Sequence, residues 1–206
     1  MKASVLYRSE LWKLGLSTAR TLPPQIASGL AQALGSIYYA FSWKRPEIVI
    51  ENLLPAVDGE FSRAETLSRE LFQNFAQKLV DLWRYESGIP IEHLFSEWSG
   101  LEIFESAQRQ KQGALIVTPH LGNWEFGAPI LAKRGIKLLV ITLNEPDPRL
   151  TEIRKASRER WGIETLVIGN DPFAFIEVIR RLERGEVDAL LVDRPHPANA
   201  VTVKLF

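Results

Sequence analysis

The chain has 206 residues, 46% hydrophobic, 24% charged and 10% aromatic, which is enough apolar side chain for one sizeable core and rules out global disorder. Its zero cysteines exclude a disulfide framework, a cysteine-ligated metal and a thiol nucleophile. The 25 lysines and arginines equal the 25 aspartates and glutamates, so the basic excess of a dedicated nucleic-acid binder is missing.

The charge balance is uneven along the chain. Residues 1–45 carry a net charge of +5, from Lys2, Arg8, Lys13, Arg20, Lys44 and Arg45 against Glu10. No compact apolar core with a small-residue cleavage site, the mark of a signal peptide, opens the sequence. The next 23 residues after Arg20 are uncharged, yet Pro23, Pro24, Gln25, Ser28, Gln32 and Ser36 interrupt the run. Tyr38, Tyr39, Phe41 and Trp43 crowd its end like interfacial aromatics. The pattern predicts an amphipathic or shallowly inserted helix rather than a span, and Trp12, Leu14 and Leu16 extend the same character upstream. A helical hairpin packed on its own domain is the alternative. Residues 1–44 are thus expected to form a basic, aromatic interfacial segment ahead of a domain over 45–206.

From residue 46, Ile48, Leu53 and Leu54, then Leu67, Leu71, Phe72, Phe75, Leu79, Leu82 and Trp83, recur at three- and four-residue spacings and predict helices with one buried stripe. After Gly88-Ile89-Pro90 short apolar runs alternate with helical stretches. Strands are expected at 114–118, 138–143, 165–168, 189–192 and 201–206, and helices at 102–111, 124–134, 148–161 and 172–184. Gly113, Gly135, Gly162 and Gly185 stand at the helix ends as stops. The fold class is α/β, a largely parallel central sheet with flanking helices, preceded by the helical membrane-associating segment. Sites in such sheets lie at the carboxyl ends of the strands.

Two loops qualify. The first runs Thr118-Pro119-His120-Leu121-Gly122-Asn123-Trp124-Glu125, with Gly122 permitting a tight turn and Asn123 placed to cap the next helix. If the chain folds back, Glu125 reaches one imidazole nitrogen of His120 and fixes its tautomer, while the other nitrogen takes a proton from a hydroxyl. The amides of that helix start would then face a developing oxyanion. A loop histidine beside a dipole-favouring glutamate is the plain alternative. The second loop begins Asp193-Arg194-Pro195-His196, whose charges suit a phosphate or polar headgroup, or a local ion pair. His93, after a Gly/Pro turn, has no evident partner. Three histidines with no paired spacing give no metal signature, and no GxGxxG or GxSxG motif occurs.

Residues 113–125 resemble the catalytic block of the late lipid A acyltransferases, and are similar to that of the mycobacterial phosphatidylinositol mannoside acyltransferases, in carrying Leu-Gly-Asn-Trp inside a His-four residues-Glu motif. Arg45 with Asn52-Leu53, then Phe72, Asn74 and Phe75, resemble the group's entry into its long helix. Arg158 with Gly162, and Leu182, Gly185, Leu190-Leu191 and Asp193-Arg194, resemble its later elements, so the likeness covers about residues 35–206. It implies acyl transfer from an acyl carrier protein or coenzyme A thioester to a hydroxyl of a glycolipid or lipid A precursor. It further implies His120 as general base oriented by Glu125, substrate contacts from Gly122, Asn123, Trp124, Arg158, Asp193 and Arg194, and no metal or cofactor beyond the thioester. The expected location is the cytoplasmic face of a bacterial inner membrane. A further lobe is expected beyond residue 206. The rival from another class is a non-catalytic membrane lipid-binding protein of the same fold.

Overall fold

The computed structural model describes residues 8–42, 44–90, 92–169 and 173–193. Two compact units divide them: residues 12–89 form one, and residues 8–11 with 90–193 the other. The boundary expected at 44/45 falls inside the first of these.

The first unit is helical. It holds most of α1 (Ser9–Thr21), then α2 (Pro24–Phe41), α3 (Lys44–Leu53) and α4 (Phe61–Glu86). Helices α2 and α4 pack together, with Ala27, Ala31 and Gly35 buried on α2 and the rings of Tyr38 and Tyr39 meeting Phe72 of α4. A Cβ on Gly35 would stand 2.8 Å from the Phe72 carbonyl oxygen, so only glycine allows this approach. Of the stripe expected on α4, Leu82 is buried and Phe72, Leu79 and Trp83 are half-buried, while Leu67, Leu71 and Phe75 turn outward at 36%, 46% and 46% exposure. Trp12, expected at an interface, is buried. Its indole N–H donates to Glu86 at 2.5 Å and its ring meets Trp83 edge-on, because a buried indole needs an acceptor. Trp43 lies outside the described residues.

The second unit carries a four-stranded, all-parallel sheet in the order β1-β4-β2-β3, from β1 (Ala114–Thr118), β2 (Leu138–Leu143), β3 (Ile163–Ile168) and β4 (Val187–Leu191). Helix α5 (Leu101–Arg109) leads into β1, and α6 (Gly127–Lys133), α7 (Pro148–Glu159) and α8 (Ala174–Glu183) connect the successive strands. Alternation along β2 feeds two cores: Leu138 and Val140 join Leu131, Ile163, Val187 and Phe104 on one face, while Leu139 and Ile141 join Val178 and Leu182 on the other. The strand expected at 201–206 lies outside the described residues.

Gly135, Gly162 and Gly185 act as the stops expected of them, each with φ between 75° and 79°. Gly113 does something else. The left-handed residue after α5 is Lys111 (φ 55°), whereas a Cβ on Gly113 would fall 2.2 Å from the Leu182 carbonyl oxygen. Backbone cannot yield as a side-chain tip can, so Gly113→Val should destabilise the protein by about 3 kcal/mol in chemical denaturation. Gly127→Ala, where a Cβ meets nothing within 4 Å, should cost nothing or stabilise slightly.

Candidate active site

Strand pairing decides the site. β1 and β4 are neighbours with Thr118 opposite Leu191, and the ladder continues one step through the Val192 N–H donating to the Thr118 carbonyl at 3.3 Å. His120 and Asp193 each lie two residues beyond that matched pair, so the register delivers them to one another. The His120 backbone N–H donates to Asp193 Oδ2 at 3.0 Å, and Nδ1 lies 2.5 Å from Oδ1. A ring that donates from Nδ1 carries its lone pair on Nε2. The Trp124 ring stands edge-on to the imidazole, centroids 4.5 Å apart at 76°, and limits its rotation. The hydrogen bonds from His120 hold the Asp193 carboxyl below its ordinary range.

The expected pairing of His120 with Glu125 is therefore corrected: the carboxylate on Nδ1 is Asp193. Glu125 is buried, and a buried carboxylate needs cationic donors. Arg154 and Arg158, four residues apart on α7 and so on one helix face, supply them. Arg158 grips Glu125 twice, Nε to Oε2 at 3.0 Å and Nη2 to Oε1 at 2.6 Å, and Arg154 adds a contact of 2.6 Å. Arg154 also reaches Glu145 at 2.6 Å. The guanidinium of Arg158, expected on substrate, is thus engaged by Glu125. Helix α7 is fixed in turn at its N-cap, where Asp147 accepts from the backbone N–H groups of Arg149 at 3.0 Å and Ser9 at 2.8 Å. Those hydrogen bonds, Ser9's first, lower the Asp147 carboxyl.

The loop also departs from the expected helix start. Asn123 precedes a three-residue 3-10 turn, Trp124–Phe126, and its side chain makes no capping bond; α6 begins only at Gly127 and has seven residues. The 3-10 turn runs directly into α6 at Gly127, so the first amides of this stretch have 3-10 rather than regular α-helical alignment. Gly122 takes φ 56° with open space beside it, which leaves the loop backbone approachable next to His120. Arg194 lies outside the described residues, as does His196. Arg154 and Glu145 had no sequence signal beyond the i, i+4 spacing of the two arginines.

A family model described as bacterial lipid A biosynthesis acyltransferase matches residues 7–206, nearly the whole chain. The chain belongs to that family. It is accordingly an acyltransferase, with a lipid acceptor and an acyl donor. A search of curated proteins finds no match. Among the described residues of the acyltransferase, no helix is long and apolar enough to cross a membrane.

Proposed function

We propose that the acyltransferase moves a fatty acyl chain from an acyl carrier protein or coenzyme A thioester to a hydroxyl of a glycolipid or lipid A precursor, with His120 as general base. The observation that supports this is the Asp193–His120 pair at adjacent strand ends. Nε2 takes the proton of the acceptor hydroxyl as its oxygen attacks the thioester carbonyl carbon. The new C–O bond forms, the C–S bond breaks, and the departing thiolate takes the proton back from the imidazolium. Asp193 stabilises that imidazolium and holds the tautomer. Trp124 is a positioning residue for the ring, and Glu125, held by α7, positions the loop. Substrate approaches over Gly122 and Asn123. No metal or further cofactor enters this route.

Labelled acyl thioesters of both donor types, given to the purified protein with lipid A precursor and other glycolipid hydroxyls, test the reading. Ester product supports it. Release of free acid alone means a hydrolase, and an unreacted thioester means a lipid-binding protein.

Membrane attachment is proposed to be peripheral, at the cytoplasmic face of the inner membrane. Helix α2 has no charged residue, and Ile26, Leu30, Leu34, Ile37 and Phe41 form a ridge, spaced at three or four residues and 50–83% exposed. Small residues between helices and large apolar ones outside is the pattern that a lipid-facing surface takes, the reverse of packing in water. Arg20 precedes this helix and Lys44 and Arg45 follow it, as suits anionic headgroups. Leu34→Asp and Phe41→Asp should each reduce partition onto anionic vesicles about tenfold, read by co-sedimentation. Added salt should weaken binding of the unaltered protein.

A further inference from the structure

We propose that the sheet unit holds a second ligand site, remote from His120, in which the cavity between α5 and the α6–β2 turn takes a small amphiphilic anion. The ligand class is a compact apolar body bearing one carboxylate or phosphate. This goes beyond the acyl-transfer reading and uses none of its residues.

The cavity measures about 350 Å³, within the range of small-molecule sites. Position separates it from the reaction. Arg109 ends α5 just before β1, and Gly135 and Ile136 lead into β2, so the cavity lies at the amino ends of the parallel strands, while His120 and Asp193 lie past their carboxyl ends. Strands of five and six residues put roughly 17–20 Å between the two edges.

Its lining specifies the ligand. Leu101, Phe104 and Ile136 offer an apolar wall. Gln108 also lines the cavity, and its Nε2 is buried with no hydrogen-bond partner among the described residues. A buried donor without an acceptor is a standing cost that a ligand oxygen relieves. Two guanidinium groups share the cavity. Arg109 makes no ion pair among the described residues, and Arg134, over the Trp98 ring, meets Glu105 only at 3.5 Å. The charged lining therefore keeps one cation in excess. An oxygen acceptor that also carries negative charge answers both the unpaired amide and that excess, and a neutral alcohol answers only the first.

Titration calorimetry of the full chain with octanoate and octyl phosphate below their micellar concentrations tests this, with octanol and inorganic phosphate as one-feature controls. At least one octyl anion should bind saturably with one-to-one stoichiometry. Octanol and inorganic phosphate should bind at least about tenfold more weakly, because each lacks one half of the recognition. Preference for octanoate points to a fatty-acid-like ligand, and preference for octyl phosphate to a phosphate monoester. Arg109→Ala, which removes an exposed side chain, and Gln108→Leu, which keeps the volume but cannot donate, should each weaken binding about tenfold, and His120→Ala should leave it unchanged. Absence of saturable binding, equal affinity for octanol, undiminished affinity in both Arg109→Ala and Gln108→Leu, or loss of binding in His120→Ala would each overturn the site. Failure of acyl transfer would leave this result untouched, so the two readings fail separately.

Discussion

His120→Ala lowers acyl transfer by about 10²–10⁴-fold while the protein stays folded, because it removes the proton acceptor from a loop position that no core depends on. Asp193→Asn lowers the rate by at least about 10²-fold, since the amide can hold neither the Nδ1–H tautomer nor the imidazolium as a carboxylate does. Steady-state rates with a thioester donor, alongside circular dichroism, read both. Wild-type turnover in Asp193→Asn would remove Asp193 from the mechanism. The pH dependence has a definite sign. His120's hydrogen bonds depress the Asp193 carboxyl in the fold, so what they contribute to stability is present above the ordinary carboxylate range near 4 and is lost as pH falls through the lower, folded value. Ionisation of Asp193 accordingly sets no limit on activity in the neutral range.

Glu125→Gln has the second largest expected effect, and it falls on stability as well as rate. Removing one partner of a buried pair typically costs about 3–5 kcal/mol, because the opposite charge stays buried. Here Arg154 keeps Glu145, so the lower end, about 3 kcal/mol, is expected from denaturant titration. Turnover should fall too, as the 119–126 loop loses its tie to α7. The effect should pass through Arg158: combining Glu125→Leu with Arg158→Leu should cost less than the two changes added separately, the non-additivity of a coupled pair. A thermal midpoint unchanged in Glu125→Gln would contradict the placement of this carboxylate. Because the glutamate does not orient the imidazole, its replacement should lower the rate without reshaping the pH profile, whereas Asp193→Asn should reshape it.

Local pattern carried much of the fold. The first two strands fall at the expected residues, the fourth begins two residues earlier than expected, and three of the four glycines sit where a left-handed helix stop demands them. Gly113 could not be read that way, since its constraint is the Leu182 backbone, 69 residues distant in sequence. The same limit applies to the site. The spacing within residues 120–125 suggested that histidine and glutamate meet, but the imidazole's actual partner is 73 residues away. That pairing depends on β4 inserting beside β1, and no local spacing encodes strand order. Helix α4 differs for another reason: three- and four-residue spacing predicts one inward stripe, yet Leu67, Leu71 and Phe75 face outward while Ala31 and Gly35 let α2 approach closely, a choice between two apolar faces that periodicity does not encode.

The ladder between β1 and β4 works as a ruler for chemistry. Sliding one strand along the other by a single residue would carry the carboxylate about 3.3 Å from the ring and turn the flanking side chains to the opposite face. Length changes are therefore constrained very unevenly along the chain. One residue added between Thr118 and His120, or between Leu191 and Asp193, would unmake the pair, whereas residues added in the turn at 160–162, away from both strand ends, leave them aligned. Where this sequence can grow and where it cannot is thus set by two dipeptides, Pro119-His120 and Val192-Asp193, more than by the helices between them.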